Sequence, residues 1–267
     1  MPELTIGTYS EKQSLLHRLD ARIKLLAVII VIAALFTAKG FWGLGVVTAG
    51  VALAWGFSAI SPAAILKRQV APLVFALFPL VFNLLLVKDG TLVLSWGPVH
   101  VTDAGVYSAA FLSLRLFLMF SSAMLMSAVS SALQLSSAIG RLLAPFERFG
   151  LPAYEISLMI GIALRFIPDF IVSFQNIQKA QRARGALFNA GSPLRRLRAL
   201  AASLVPLFAM AFRHAEELAL AMESRCYHGG TFRTYYREVK IAPLDTIPIA
   251  WSLLMLFSTI ALRIAGI

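Results

Sequence analysis

Residues 104–130 read AGVYSAAFLSLRLFLMFSSAMLMSAVS, and the only charge among them is Arg115. A helix rises about 1.5 Å per residue and the hydrocarbon layer of a bilayer is about 30 Å thick, so roughly 20 apolar residues suffice to cross it. The stretch is a transmembrane helix by this measure, and it decides that much of the chain is solvated by lipid. Arg115 marks a candidate functional position inside the membrane, because a charge there is costly and is kept where it pairs or works. It either lines a path or reaches a neighbouring helix or a water-filled cleft.

Working toward the N-terminus, three more spans are expected: Ile23 to Ala38 with Lys24 at its edge, Phe41 to Ile60, and Val70 to Val87, the last kinked by Pro72 and Pro79. Lys39 and Gly40 form the first turn. Gly45 with Ala49, and Ala52 with Gly56, have the small-xxx-small spacing that lets helices approach closely. Between the third and fourth spans, KDGTLVLSWGPVHVTD (Lys88 to Asp103) is rich in turn formers and β-branched residues and reads as a short external hairpin or loop. The first 22 residues lack the short apolar core of a secretory leader.

Working toward the C-terminus, a fifth span is expected from about Ile247 to Leu262, after a long basic insert. Residues 131–240 hold 14 Lys and Arg against seven acids. Positive segments stay on the cytoplasmic side, so this insert and the N-terminal segment with Lys12, Arg18, Arg22 and Lys24 are expected there, together with Lys67 and Arg68. The organisation is therefore 1–130 as N-terminal segment and four spans, 131–240 as a cytoplasmic helical domain, and 241–267 as the last span. The fold class is an all-α integral membrane protein with about five transmembrane helices.

Composition agrees with this architecture. Of 267 residues 59% are apolar and 14% charged, with a mean hydropathy of +0.79 and a net charge of +11. Soluble domains carry about 25% charged residues, so an ordinary water-soluble enzyme and a disordered chain are both excluded. One cysteine, Cys226, excludes an internal disulfide and a cysteine-based metal cluster.

Inside the insert, Ile167, Phe170, Ile171, Phe174 and Ile177 recur at helical spacing, as do Leu204, Leu207, Phe208, Ala211, Ala215, Leu218, Ala219 and Met222. Two long amphipathic helices are expected, with breaks at Pro145, Gly150 with Pro152, Pro168, and Asn189 to Pro193. The first ends in Gln181-Arg182-Ala183-Arg184-Gly185, the second in Glu223-Ser224-Arg225-Cys226-Tyr227-His228-Gly229-Gly230. Gly after a helix and a cation in its last turn are ordinary capping features. Their repetition in a domain short of acids also suits bidentate docking to carboxylates of another protein.

At these residues the chain resembles the transmembrane T component of energy-coupling factor transporters. The resemblance runs over HRLDARIKLL (His17 to Leu26), LRFIP (Leu164 to Pro168), AQRARGA (Ala180 to Ala186) and MESRCYHGGTFRT (Met222 to Thr234), in that order. It implies a prokaryotic ABC-type importer of a vitamin or a transition metal. In such an importer two cytoplasmic ATPases drive a small membrane S component, which captures the substrate, and the T component links them. The two Arg-centred motifs that dock into the ATPases correspond here to Ala183, Arg184, Gly185 and to Ser224, Arg225, Cys226. The second departs from the usual Ala-Arg-Gly at its first and last residues.

Other classes are less well supported. His17, His100, His214 and His228 are scattered, and neither HExxH, GxSxG nor a GxxxxGK phosphate loop occurs, so an integral-membrane enzyme lacks its chemistry and any ATP is bound by partners. His214 with Glu216 and Glu217 invites a metal or acid–base reading but needs only be a solvated polar face. A self-contained channel or secondary transporter would rest on Arg115 alone. The basic residues are interleaved with apolar stripes rather than exposed aromatics, which argues against nucleic acid. Arg195, Arg196 and Arg198 suit anionic lipid headgroups or a solvated face. No cofactor or metal site is expected, and the expected partners are the two ATPases, the S component and membrane lipid.

Overall fold

The computed structural model describes residues 15–87, 91–96, 99–150, 152–186, 192–229 and 243–266. Gly230 to Thr234 of the last quoted motif lie outside the described residues, as do Lys12, Lys88 and Asn189. So do the side chains of Arg18, Arg195 and Arg198. The chain forms two compact units, one of residues 5–142 with 239–267 and one centred on 143–238.

In the first unit a short turn of helix, α1 (Leu15–Arg18), leads into α2 (Ala21–Thr37), α3 (Phe41–Phe57), α4 (Pro62–Leu86), α5 (Asp103–Val129), α6 (Ala132–Leu143) and, from the far end of the chain, α9 (Thr246–Ile264). The spans expected from sequence are α2, α3, α4, α5 and α9. α4 starts eight residues earlier than Val70 because Ser61-Pro62 opens it: Pro at the first helical position loses no hydrogen bond. Helix continues through Pro72 and Pro79, which are both buried, and the Asn83 side-chain amide donates to the Pro79 carbonyl at 2.9 Å.

The segment between α4 and α5 is a hairpin. β1 (Leu92–Trp96) pairs antiparallel with β2 (Val99–Thr102), Trp96 opposite Val99 and Leu92 opposite Thr102. Thr102 ties it to both helices. Thr102 Oγ1 accepts from the Gly105 amide at 3.2 Å, capping α5, and donates to the Val87 carbonyl at 3.0 Å at the end of α4.

The core of this unit lies where α2, α3, α5 and α9 meet. Leu35, Leu44, Val47, Trp55, Leu118 and Met255 are among its buried side chains. Gly50 makes the α3–α9 approach: a Cβ there would stand 1.9 Å from Met255 Cε. Gly45, Ala49, Ala52 and Gly56 instead face outward, and a Cβ on Gly45 or Gly56 would meet nothing within 4 Å. The small-xxx-small spacing therefore does not serve packing within the described residues. The buried face of α3 runs through Gly43, Val47, Gly50 and Val51. On α4, Leu73, Val74, Phe75, Leu77 and Phe78 are each about half or more exposed. Side chains of this kind are soluble only if lipid is their solvent.

The second unit holds a 3-10 turn (Ala144–Phe149) and two helices of 31 residues, α7 (Ala153–Ala183) and α8 (Pro193–Glu223). Both expected amphipathic helices are present, with α7 running unbroken through Pro168 where the sequence leads one to expect a break, and their stripes are only partly covered. Leu207, Ala211, Leu218 and Met222 are half-buried, whereas Leu204 and Phe208 on the same stripe are 42% and 60% exposed. Four helices among the described residues are long and apolar enough to cross a membrane: α4, α5, α9 and, unlike the sequence reading, α7.

Candidate functional site

The ends of α7 and α8 close with the same pair of backbone bonds. At α7, the Ala186 amide donates to the Gln181 carbonyl at 2.9 Å and the Gly185 amide to the Arg182 carbonyl at 3.0 Å, with Gly185 left-handed at φ +87°. At α8, the Tyr227 amide donates to the Met222 carbonyl at 3.0 Å and the Cys226 amide to the Glu223 carbonyl at 2.9 Å, with Cys226 left-handed at φ +58°. Each is a Schellman end, in which a 6→1 and a 5→2 bond satisfy carbonyls that the helix leaves open. Arg184 and Arg225 hold the same place, immediately before the left-handed residue. Cys226 does the work of Gly185 without glycine's freedom, so the departure from Ala-Arg-Gly at that position changes the side chain and leaves the backbone path intact.

All six residues read from sequence as candidates here, Ala183, Arg184, Gly185, Ser224, Arg225 and Cys226, are exposed. Ser224 Oγ folds back to donate to the Ala221 carbonyl at 3.0 Å. Among the described residues neither Arg184 nor Arg225 forms a side-chain hydrogen bond or ion pair. Two guanidinium groups thus stand on Schellman-capped helix ends, exposed to solvent. That arrangement is suited to planar, bidentate recognition of carboxylates and gives no means of bond-breaking chemistry.

Arg115 is engaged within its own chain. Its Nη2 donates to the carbonyl of Ala38, the residue that closes α2, and the guanidinium lies 4.5 Å above the Phe111 ring. Lys24 does the converse. It is 6% exposed, and its Nζ donates to the carbonyl of Val129, the last residue of α5, at 3.1 Å, and to that of His17 at 3.4 Å. α2 and α5 therefore each send a cation to the carbonyl end of the other, where the helix dipole is negative and acceptors are unpaired.

Asp20 and Asp245 extend the Lys24 end of this clamp. Asp20 caps α2 by accepting from the Arg22 amide at 3.0 Å, and its own amide donates to Asp245 Oδ1, at the start of α9, at 3.0 Å. The quoted HRLDARIKLL stretch is thus a joint between α2, α5 and α9. Sequence reading missed the Lys24–Val129 and Asp20–Asp245 pairings. The signal available was the rarity of charge in these helices, which names the residues but not their partners.

Five apolar helices with lipid-suited surfaces, two of them joined by cation caps, with a basic helical unit bearing two exposed arginine ends inserted before the fifth, define a multi-pass membrane protein of the transporter-component class. The comparisons agree. Residues 12–236 match the family model CbiQ, described as cobalt transport protein. Proteins named energy-coupling factor transporter transmembrane protein EcfT are similar over nearly the whole chain. That of Thermosediminibacter oceani is 39% identical over 246 residues, 92% of each chain. That of Brevibacillus brevis is 39% identical over 247 residues, 92% of this chain and 93% of its own, and that of Bacillus subtilis 34% over 250, with the same coverage. The chain belongs to the EcfT/CbiQ family of energy-coupling factor transporter T components, and as such is a transporter component rather than an enzyme.

Proposed function

We propose that this chain couples two cytoplasmic ATPases to a small substrate-binding membrane protein. In this reading Arg184 and Arg225 are the grips through which nucleotide-driven motion enters, and α7 and α8 are the levers that carry it. The observation that carries the reading is the pair of identically capped, exposed helix ends with an arginine at the same place in each. Two like sockets on two like subunits would demand such a repeat. The exposed edge of the α8 stripe, with Leu204, Phe208 and Phe212, then offers the substrate-binding partner an apolar surface that can slide.

The reading places residues 131–240 and the N-terminus in the cytoplasm, and so keeps α7 out of the bilayer despite its apolar length. A spanning α7 would set Arg165 and Asp169 near mid-depth, where each charge costs roughly 2.5–3.5 kcal/mol. The proposed cargo is a vitamin or a transition-metal ion, captured by the partner.

Reversing charge at each grip tests the proposal. Losing one partner of a buried charge pair costs about 2–5 kcal/mol, or roughly 30-fold and more in affinity. Arg184→Glu with Arg225→Glu is expected to abolish co-purification of the ATPases or to uncouple hydrolysis from uptake. A double variant that assembles and transports normally defeats the reading.

A further inference from the structure

His214 was a candidate for a solvated polar face, and the structure places it elsewhere. On α7, Phe166 and Phe170 stand one turn apart with ring centroids separated by 6.1 Å. The His214 imidazole of α8 lies against both. Its centroid is 6.1 Å from that of Phe166 and 6.2 Å from that of Phe170, with planes inclined by 42° and 23°. The residue is half-buried, and Nδ1 is buried without a hydrogen-bond partner among the described residues.

A buried polar atom left unpaired is destabilising. Aromatic contacts of this offset and tilted kind are favourable, and two of them oppose that cost. Among the described residues, ring packing and not a hydrogen bond at Nδ1 holds the imidazole where it is. The contact also sits where leverage is large. His214 precedes Arg225 by 11 residues and Phe170 precedes Arg184 by 14. At about 1.5 Å per residue the helix ends lie roughly 16 Å and 21 Å beyond it, and a rotation of about 10° at the contact moves such an end by roughly 3–4 Å.

We infer that His214, seated against Phe166 and Phe170, is a positioning residue that fixes the angle between α7 and α8 and hence the separation of Arg184 and Arg225. Its consequence for transport rests on the proposed coupling function. The separation itself does not, and can be measured on the full chain alone.

Cys226 is the sole cysteine and is exposed, so a spin label there and a second on Lys179→Cys report the distance between the two ends. Native His214 and His214→Phe, which keeps an aromatic ring, are expected to give the same narrow distance distribution. His214→Ala and the volume-keeping His214→Leu are expected to broaden it or shift it by about one helical turn, ~5 Å. In the assembled transporter, uptake per ATP hydrolysed is expected to fall about tenfold in the Ala and Leu variants and to stay within about twofold in the Phe variant, with the ATPases still bound.

Unchanged distances in both His214→Ala and His214→Leu overturn the inference, as does a Phe variant as disturbed as the Ala variant. Distances that shift as expected, in a chain whose Arg184→Glu, Arg225→Glu form transports normally, leave the positioning role standing and remove the coupling function instead.

Discussion

Cys226 is where a single residue's backbone preference bears on the site. A non-glycine residue in the left-handed region costs roughly 1–2 kcal/mol, whereas glycine there pays only its greater loss of freedom, about 0.5–1 kcal/mol. Cys226→Gly is therefore expected to tighten the end of α8 by about 0.5–1 kcal/mol. Slower hydrogen exchange at the Tyr227 amide, whose acceptor is the Met222 carbonyl, would show it. ATPase binding should persist, since Arg225 keeps its place before the left-handed residue. Faster exchange in the glycine variant would mean that the cysteine side chain itself holds the turn. The arginines were legible in the sequence because helix capping is local: Gly185 and the cations around it lie within one turn. That Cys226 keeps the left-handed backbone of the glycine it replaces was not legible, since its side chain gives no reason to expect a positive φ.

Between elements, the reciprocal caps joining α2 and α5 carry a measurable cost. Removing Arg115 as Arg115→Leu leaves the Ala38 carbonyl without its donor, and Lys24→Met does the same for Val129. Each change is expected to lower stability by about 1–3 kcal/mol, the range for a buried group left unpaired. Thermal unfolding in detergent reads the loss. Should Arg115→Leu unfold like the native chain yet abolish uptake, Arg115 would be functional after all and not a brace. The α3–α9 contact makes a second element-scale prediction. Gly50→Leu forces Met255 aside and is expected to cost about 1–3 kcal/mol through overpacking, with much of it recovered by adding Met255→Ala. Gly45→Leu and Gly56→Leu, where nothing is near, should leave the stability of the isolated chain unchanged.

For the molecule as a whole, the arrangement of basic segments makes orientation testable. Lys39, in the connection between α2 and α3, and Lys67, near the start of α4, are both exposed and lie toward opposite ends of α3. A membrane-impermeant thiol reagent applied to intact cells is expected to modify Lys39→Cys, and to reach Lys67→Cys and native Cys226 only after permeabilisation, as followed by peptide mapping. Labelling of Cys226 from outside would place the second unit on the wrong side for cytoplasmic ATPases. The same experiment decides between a surface α7 and a spanning one, because an additional crossing would reverse the side on which α8 and Cys226 emerge.

By itself the sequence determined what is local or compositional. The apolar runs of α2 to α5 and α9, the hairpin between α4 and α5, the two long basic helices and their arginine ends all follow from run length, 3.6-residue periodicity and capping chemistry. Tertiary structure alone decided which faces meet. A helix apolar on every side gives no amphipathic direction, and in lipid no hydrophobic difference selects the packed face from the bare one. So Gly50 and not Gly45 faces a neighbour, Lys24 reaches Val129 across 105 residues, Asp20 meets Asp245, and His214 leaves its expected polar face for two phenylalanines. These choices depend on shape and on where unpaired carbonyls lie once the helices have been brought together, and the linear order of residues holds no record of that.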